Sequence, residues 1–263
     1  MDMGFVEVPG GKLFFETAGS GPPVVFIHPG LWDCRTWDDQ FGVFAESHTA
    51  IRYDVRGYGK SSFPTEPYSD VEDLAAVMDR VGAHRAALVG CSMGGNVAIS
   101  FALEHPDRVS ALVPVASGCS GFEAPEGRWE GVWAPIGEAL QAGELERATD
   151  LLLEIWAPLG TSDPAGRRIR EIALDNTQQF RLDEEDLAIQ LDPSPFARLE
   201  EISAPTLVIL GSDDVEDIAD IGEALATRIP GARKVVIERA DHVVNMRQLS
   251  EFNRVVLDFL ASD

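Results

Sequence analysis

A serine hydroxyl does chemistry only when a base takes its proton and donors receive the negative charge its attack creates. Ser92 stands in Gly90-Cys91-Ser92-Met93-Gly94-Gly95, with the apolar run Ala86–Val89 before it and the helix-forming stretch Gly94–Glu104 after it. This is the G-x-S-x-G pattern in a strand–turn–helix setting. Steric crowding explains the glycines: the serine must ride a sharp, strained turn where strand and helix meet, so flanking positions must lack side chains. The helix that follows turns its positive end toward the hydroxyl. Met93, directly after the serine, is placed to offer its backbone N–H to an oxyanion. Cys91 is a rival nucleophile by chemistry, but its position before the centre of the turn reads as a small residue packed beneath it.

A second glycine-rich run, Asp54-Val55-Arg56-Gly57-Tyr58-Gly59-Lys60-Ser61, invites a phosphate-loop reading. It lacks the Gly-Lys-Ser/Thr ending of a P-loop, and no G-x-G-x-x-G opens a helix, so it reads as a structural loop beside the site. No group of His, Cys, Asp and Glu has metal-ligand spacing, and neither metal nor cofactor is expected.

Holding Ser92 in such a turn requires a sheet. Strand-forming runs fall at Phe5–Val8, Lys12–Thr17, Val24–His28, Thr49–Tyr53, Ala86–Val89, Ala111–Ala116, Thr206–Leu210 and Arg233–Glu238. The first two face each other across Pro9-Gly10-Gly11 as a hairpin. The later ones alternate with helical patterns at Asp70–Val81, Gly94–Glu104, Asp217–Arg228 and Ser250–Leu260. Alternation with nearly continuous apolar strands predicts an α/β fold, a mostly parallel sheet covered on both faces. The alternation breaks between about Gly118 and Ser203, where helical stretches at Gly137–Trp156 and Pro164–Gln179 accompany Trp129, Trp133 and Trp156. The expected organisation is a core of residues 1–117 and 204–263 interrupted by a helical cap at 118–203.

The chain has 44 acidic against 21 basic residues, a formal charge of −23. That excess repels phosphate backbones and anionic lipid, so nucleic acid and membrane are not expected partners; a small-molecule substrate is, and a homodimer stays open. Cys34, Cys91 and Cys119 are too few and scattered for a disulfide framework. With no basic-then-apolar leader and no apolar stretch of spanning length, a cytoplasmic protein is the expectation.

With turn, sheet and cap in view, the chain resembles the α/β-hydrolase fold superfamily, and most of all its compact, cofactor-free branch of carboxylesterases, enol-lactonases, haloperoxidase-like enzymes and meta-cleavage hydrolases. Four segments carry the likeness: His28-Pro29-Gly30-Leu31-Trp32, similar to an oxyanion loop; the Asp54–Ser61 run; the Ser92 turn; and Gly211-Ser212-Asp213-Asp214 with Ala240-Asp241-His242. The resemblance implies an eight-stranded sheet with helices on both faces and the chain order Ser, acid, His. It assigns the base to His242, past the last strand, and the acid to Asp214, with the neighbouring Asp213 and the more distant Glu123 as alternatives. It assigns the second oxyanion donor to Gly30, because Pro29 has no N–H, with Leu31 the neighbour in doubt. Relatives commonly follow the histidine with an acid and then a proline; here those positions read Arg247 and Leu249.

The implied activity is hydrolysis of a small to medium, partly apolar ester or lactone through a Ser92–His242–Asp214 triad and an acyl-enzyme. Leu31, Trp129, Trp133 and Trp156 are candidate substrate contacts. Carbon–carbon bond hydrolysis or perhydrolysis would use the same triad, and a receptor-like hydrolase with little turnover would keep it.

Overall fold

In the computed structural model, which describes residues 1–184 and 187–262, the apolar runs form the eight strands of one sheet. These are β1 (Asp2–Val8), β2 (Gly11–Gly19), β3 (Pro23–Ile27), β4 (Thr49–Tyr53), β5 (Ala86–Cys91), β6 (Val109–Val115), β7 (Leu207–Gly211) and β8 (Arg233–Ile237). Their order is β1-β2-β4-β3-β5-β6-β7-β8. The β1–β2 hairpin and the β2–β4 pair are antiparallel, and the remaining pairs are parallel. Every residue of the central β5 is buried, whereas β8 at the edge is largely exposed. A strand covered on both faces has no polar side to present, so its sequence is a continuous apolar run rather than an alternation.

Nine α-helices accompany the sheet among the described residues: α1 (Asp38–Phe44), α2 (Asp70–Arg80), α3 (Met93–Glu104), α4 (Ala134–Gln141), α5 (Leu145–Trp156), α6 (Pro164–Asp175), α7 (Glu216–Arg228), α8 (Val244–Arg247) and α9 (Leu249–Leu260). The α2 boundary follows ordinary capping chemistry. Ser69 accepts a hydrogen bond from the Glu72 amide, and Asp70, Glu72 and Asp73 fill the electropositive first turn. The helix expected over Gly137–Trp156 is two helices. Gly143 takes φ +72°, and the Gly143 and Glu144 amides donate back to Leu140 and Ala139, a left-handed end that stops α4. The stretch expected to run to Gln179 leaves the α conformation after Asp175 and continues as a 3-10 helix at Thr177–Glu184. Residues 185 and 186, within the expected cap at 118–203, lie outside the described residues.

Helices α4, α5 and α6 stand between β6 and β7 in the chain and have their own apolar cluster. Ile136, Leu152, Leu153, Ile169 and Ile172 pack there with Leu31 and Trp32 from the loop after β3 and with Val243, next to His242. The sheet core is a separate cluster. The Asp54–Ser61 run meets the core through Arg56, buried and forked onto Asp73 of α2 at 2.7 and 2.8 Å. Its guanidinium is thereby consumed in holding loop to helix. Among the described residues, no helix is long and apolar enough to cross a membrane.

Candidate active site

Ser92 lies between β5 and α3 with φ 52° and ψ −115°. A non-glycine residue in this region is strained. The serine amide donates to Val115 and its carbonyl accepts from Asn96 and Gly118, which fix the backbone from both sides. Gly94 shows why the turn excludes side chains: a Cβ there would stand 2.3 Å from the Ile27 carbonyl oxygen. Met93, directly after the serine, opens α3. Cys91 is fully buried, its thiol contacts the His242 carbonyl at 3.5 Å, and burial pushes its ionisation well up, so it stays a thiol beneath the turn.

The loops after β7 and β8 bring Asp214 and His242 together. His242 Nδ1 lies 3.0 Å from Asp214 Oδ2 and 3.2 Å from Oδ1, and both side chains are buried. Asp213 is exposed, and its carboxylate accepts from Ser212 instead. The two loops touch closely: the Asp213 amide donates to Ala240, and a Cβ at Gly211 would lie 2.3 Å from that same carbonyl oxygen. Glu123, the alternative acid, lies exposed in the segment after β6.

The loop after β3 is pinned by His28. Its Nε2 accepts from the Val55 amide at 2.9 Å, so Nδ1 carries the proton and donates to the Pro29 carbonyl at 2.8 Å. Burial holds this imidazole below its ordinary range, and it is a neutral spacer. Beyond it, Leu31 adopts φ 69° and its amide donates to Gln179 Oε1 at 2.9 Å. The Leu31 amide is therefore already committed to Gln179. Leu31 itself is a packing residue of the α4–α6 cluster.

The three tryptophans form a stack ending on the base. Trp133, 44% exposed, lies 5.3 Å from Trp129, which lies 6.0 Å from Trp156, whose ring centroid is 4.6 Å from that of His242. The Trp129 indole donates to the Asp217 carboxylate, which Arg128 also engages. Only Trp156 of the three touches the imidazole. Arg247, which stands where an acid is common, forks onto buried Asp241 beside the base and donates to the Gly160 carbonyl between α5 and α6. Sequence reasoning missed this link and the role of Gln179. Their signal is only a charge and an amide whose partners lie far along the chain.

Asp33, Cys34 and Asp54 converge within 4.8 Å, a gathering that their spacing in the sequence did not suggest. Their capacity is already used. Asp33 accepts from Arg35 and Asn176, Asp54 accepts from the Cys34 and Lys60 amides, and burial pushes the Cys34 thiol well up.

A nucleophile elbow on a central parallel strand, with a histidine–carboxylate pair from two later strand ends, defines the α/β-hydrolase architecture. The chain belongs to the alpha/beta hydrolase family, whose model matches residues 24–255. It is 30% identical to a 2-hydroxy-6-oxononadienedioate/2-hydroxy-6-oxononatrienedioate hydrolase of Burkholderia vietnamiensis, over 95% of this chain and 91% of that one. Among solved structures it is similar to an enol-lactonase from Burkholderia xenovorans, with a TM-score of 0.83 at 25% identity, covering 98% of this chain and 100% of that one. It is also similar to Est816, described as an N-acyl homoserine lactone degrading enzyme, with a TM-score of 0.76 at 30% identity, covering 97% and 100%. The chain is a hydrolase.

Proposed function

We propose that this hydrolase cleaves a neutral, partly apolar ester or lactone through an acyl-enzyme on Ser92. The observation that carries the reading is the buried His242–Asp214 contact at 3.0 Å, on a histidine whose carbonyl meets Cys91, the residue before the positive-φ Ser92, at 3.5 Å. With Nδ1 engaged by Asp214, the imidazole offers Nε2 as the base. It takes the Ser92 proton as Oγ attacks the carbonyl, then returns it to the leaving alkoxide. The Met93 and Gly30 amides receive the oxyanion; losing one such donor costs about 3 kcal/mol of transition-state stabilisation. Water then repeats the sequence on the acyl-enzyme.

We read residues 118–203 as the cap and the Trp129–Trp156 stack as one wall of the substrate space. Arg128 and Arg247, the arginines that reach this wall and the base loop, are already paired with carboxylates. A doubly charged dienoate would need a cation to receive it, and these two have none to spare. That favours a neutral substrate over the dioate named for the Burkholderia vietnamiensis relative.

The test is reaction with a serine-directed phosphonate and mapping of the adduct by mass spectrometry. The expected result is a single adduct on Ser92 that forms at least about a hundredfold more slowly in His242→Ala, in line with the worth of a general base. An adduct elsewhere, or an unchanged rate, overturns the assignment. A panel of nitrophenyl esters, lactones and ring-fission dienones then reads the substrate class.

A further inference from the structure

We infer that Gln179, supplied by the helical segment between β6 and β7, is a positioning residue for the oxyanion hole; this rests on the serine-hydrolase reading above. Gln179 Oε1 accepts the Leu31 amide at 2.9 Å across a sequence separation of 148 residues, and the contact is buried. Leu31 has φ 69°, a conformation that side chains other than those of Gly, Asn or Asp rarely take. A strained residue persists where its surroundings over-determine it. Here the fixing contact comes from a glutamine distant in the chain.

The peptide plane explains what is at stake. The Leu31 N–H and the Gly30 carbonyl belong to one rigid unit. Fixing the N–H direction fixes the rotation about the Gly30 Cα–C bond. From the other side, His28 fixes the Pro29 carbonyl at 2.8 Å, and that carbonyl shares its peptide plane with the Gly30 N–H. Gly30 is thus held between two anchored peptide planes, one tied by His28 and one by Gln179. Glycine has no side chain to restrict its backbone, so without the second tie it samples a wide range of conformations.

Neighbouring contacts brace the same segment against the same loop. Asn176 donates to Asp33 at 2.7 Å, Arg35 donates to Asp175 at 2.8 Å, and the Trp32 indole donates to the Ile169 carbonyl at 2.9 Å. These hold the loop from Trp32 onward. Gln179 is the contact that reaches the residue next to the donor.

The experiment compares wild type, Gln179→Leu and Gln179→Glu. Leucine keeps most of the volume and loses the acceptor; glutamate keeps an acceptor oxygen at the same reach. The readouts are kcat and KM on a nitrophenyl ester, the affinity for a trifluoromethyl ketone whose serine adduct carries an oxyanion, and the far-UV and near-UV spectra. We expect Gln179→Leu to keep its spectra and its KM within about twofold. Its kcat and its fluoroketone affinity should both fall about ten- to a hundredfold, the scale of a displaced oxyanion donor. Gln179→Glu should recover most of both. A folded Gln179→Leu with unchanged kcat and fluoroketone affinity overturns the proposal, as does a Gln179→Glu no better than the leucine variant. If leucine perturbs the spectra, the comparison of glutamate with wild type decides: matching kcat and affinity support the role, and a loss as large as that of leucine refutes it. Wild type that forms no fluoroketone adduct on Ser92 overturns the serine reading as well, whereas an adduct insensitive to residue 179 overturns this inference alone.

Discussion

Asp70 opens α2 with its Oδ1 buried and without a hydrogen-bond partner among the described residues. Burial, and then the nearby Asp73 carboxylate, push its carboxyl up from 3.8 to about 7, with Arg56 only partly opposing them. A carboxyl with a raised folded pKa binds its proton more tightly in the folded state. Stability therefore falls as pH rises from about 4 toward about 7, where the unfolded chain has released the proton and the folded chain still holds it. Above about 7 the loss is complete, and below about 4 it vanishes. Each pH unit between the two values is worth about 1.4 kcal/mol, so the ceiling is about 4 kcal/mol. The N-terminus of α2 returns about 0.3–1 kcal/mol to the carboxylate, and local relaxation takes more, which leaves about 1–2 kcal/mol. Asp70→Asn removes the charge at nearly constant shape. At pH 8 it should raise the melting temperature by about 2–8 °C, given about 2–4 °C per kcal/mol for a chain near this size. At pH 4.5 the difference should shrink to near zero. Calorimetric scans of both proteins at the two pH values make the comparison, with all other carboxylates common to both. A difference that is constant with pH, or that grows toward acid, refutes the account.

Further substitutions probe the site and the loop beside it. Asp214→Asn should lower kcat about 10⁴-fold, because the amide favours the wrong imidazole tautomer, while Asp213→Asn leaves it nearly unchanged; similar losses in the two would break the assignment of the acid. Arg56→Met leaves Asp73 buried and unpaired and should cost about 3–5 kcal/mol in urea unfolding, with much of that recovered in Arg56→Met/Asp73→Leu; a single variant as stable as wild type would show that the pair is not structural.

The parts of the molecule governed by local rules were legible from the sequence. All eight strands fall close to the runs that predicted them, and most plainly the central β5, because a strand buried on both faces has to be apolar throughout. The Ser92 turn was readable because its glycines answer a steric demand confined to a few residues. The contacts that organise the rest are long-range. Gln179 meets Leu31, Arg247 meets Asp241 and Gly160, and Trp129 meets Asp217. A polar side chain in a helix pattern looks solvent-facing until its partner is known, and that partner stands on another element. The α4–α5 break has a local signal of its own: Ala142-Gly143-Glu144 carries the glycine of a helix stop within an otherwise continuous apolar period.

These long-range contacts also bear on what the segment between β6 and β7 does. A lid that only gates access would touch the core at hinges and leave the reacting groups alone. Here the segment between β6 and β7 meets the loop after β3 through Gln179 and Asn176, His242 through the Trp156 ring, and Arg247 through Gly160. On the proposed reading it supplies one wall of the substrate space and also braces the donor and the base. Contacts that act on the transition state alter kcat, whereas contacts that only admit substrate alter KM. Substitutions along the inner face of this segment should therefore divide by which loop they touch. Those at Gln179 and Trp156 fall on kcat, and those at the outward Trp133, which reaches neither loop, fall on KM. On that reading, substrate choice and catalytic power draw on the same helices, and exchanging them should change both together.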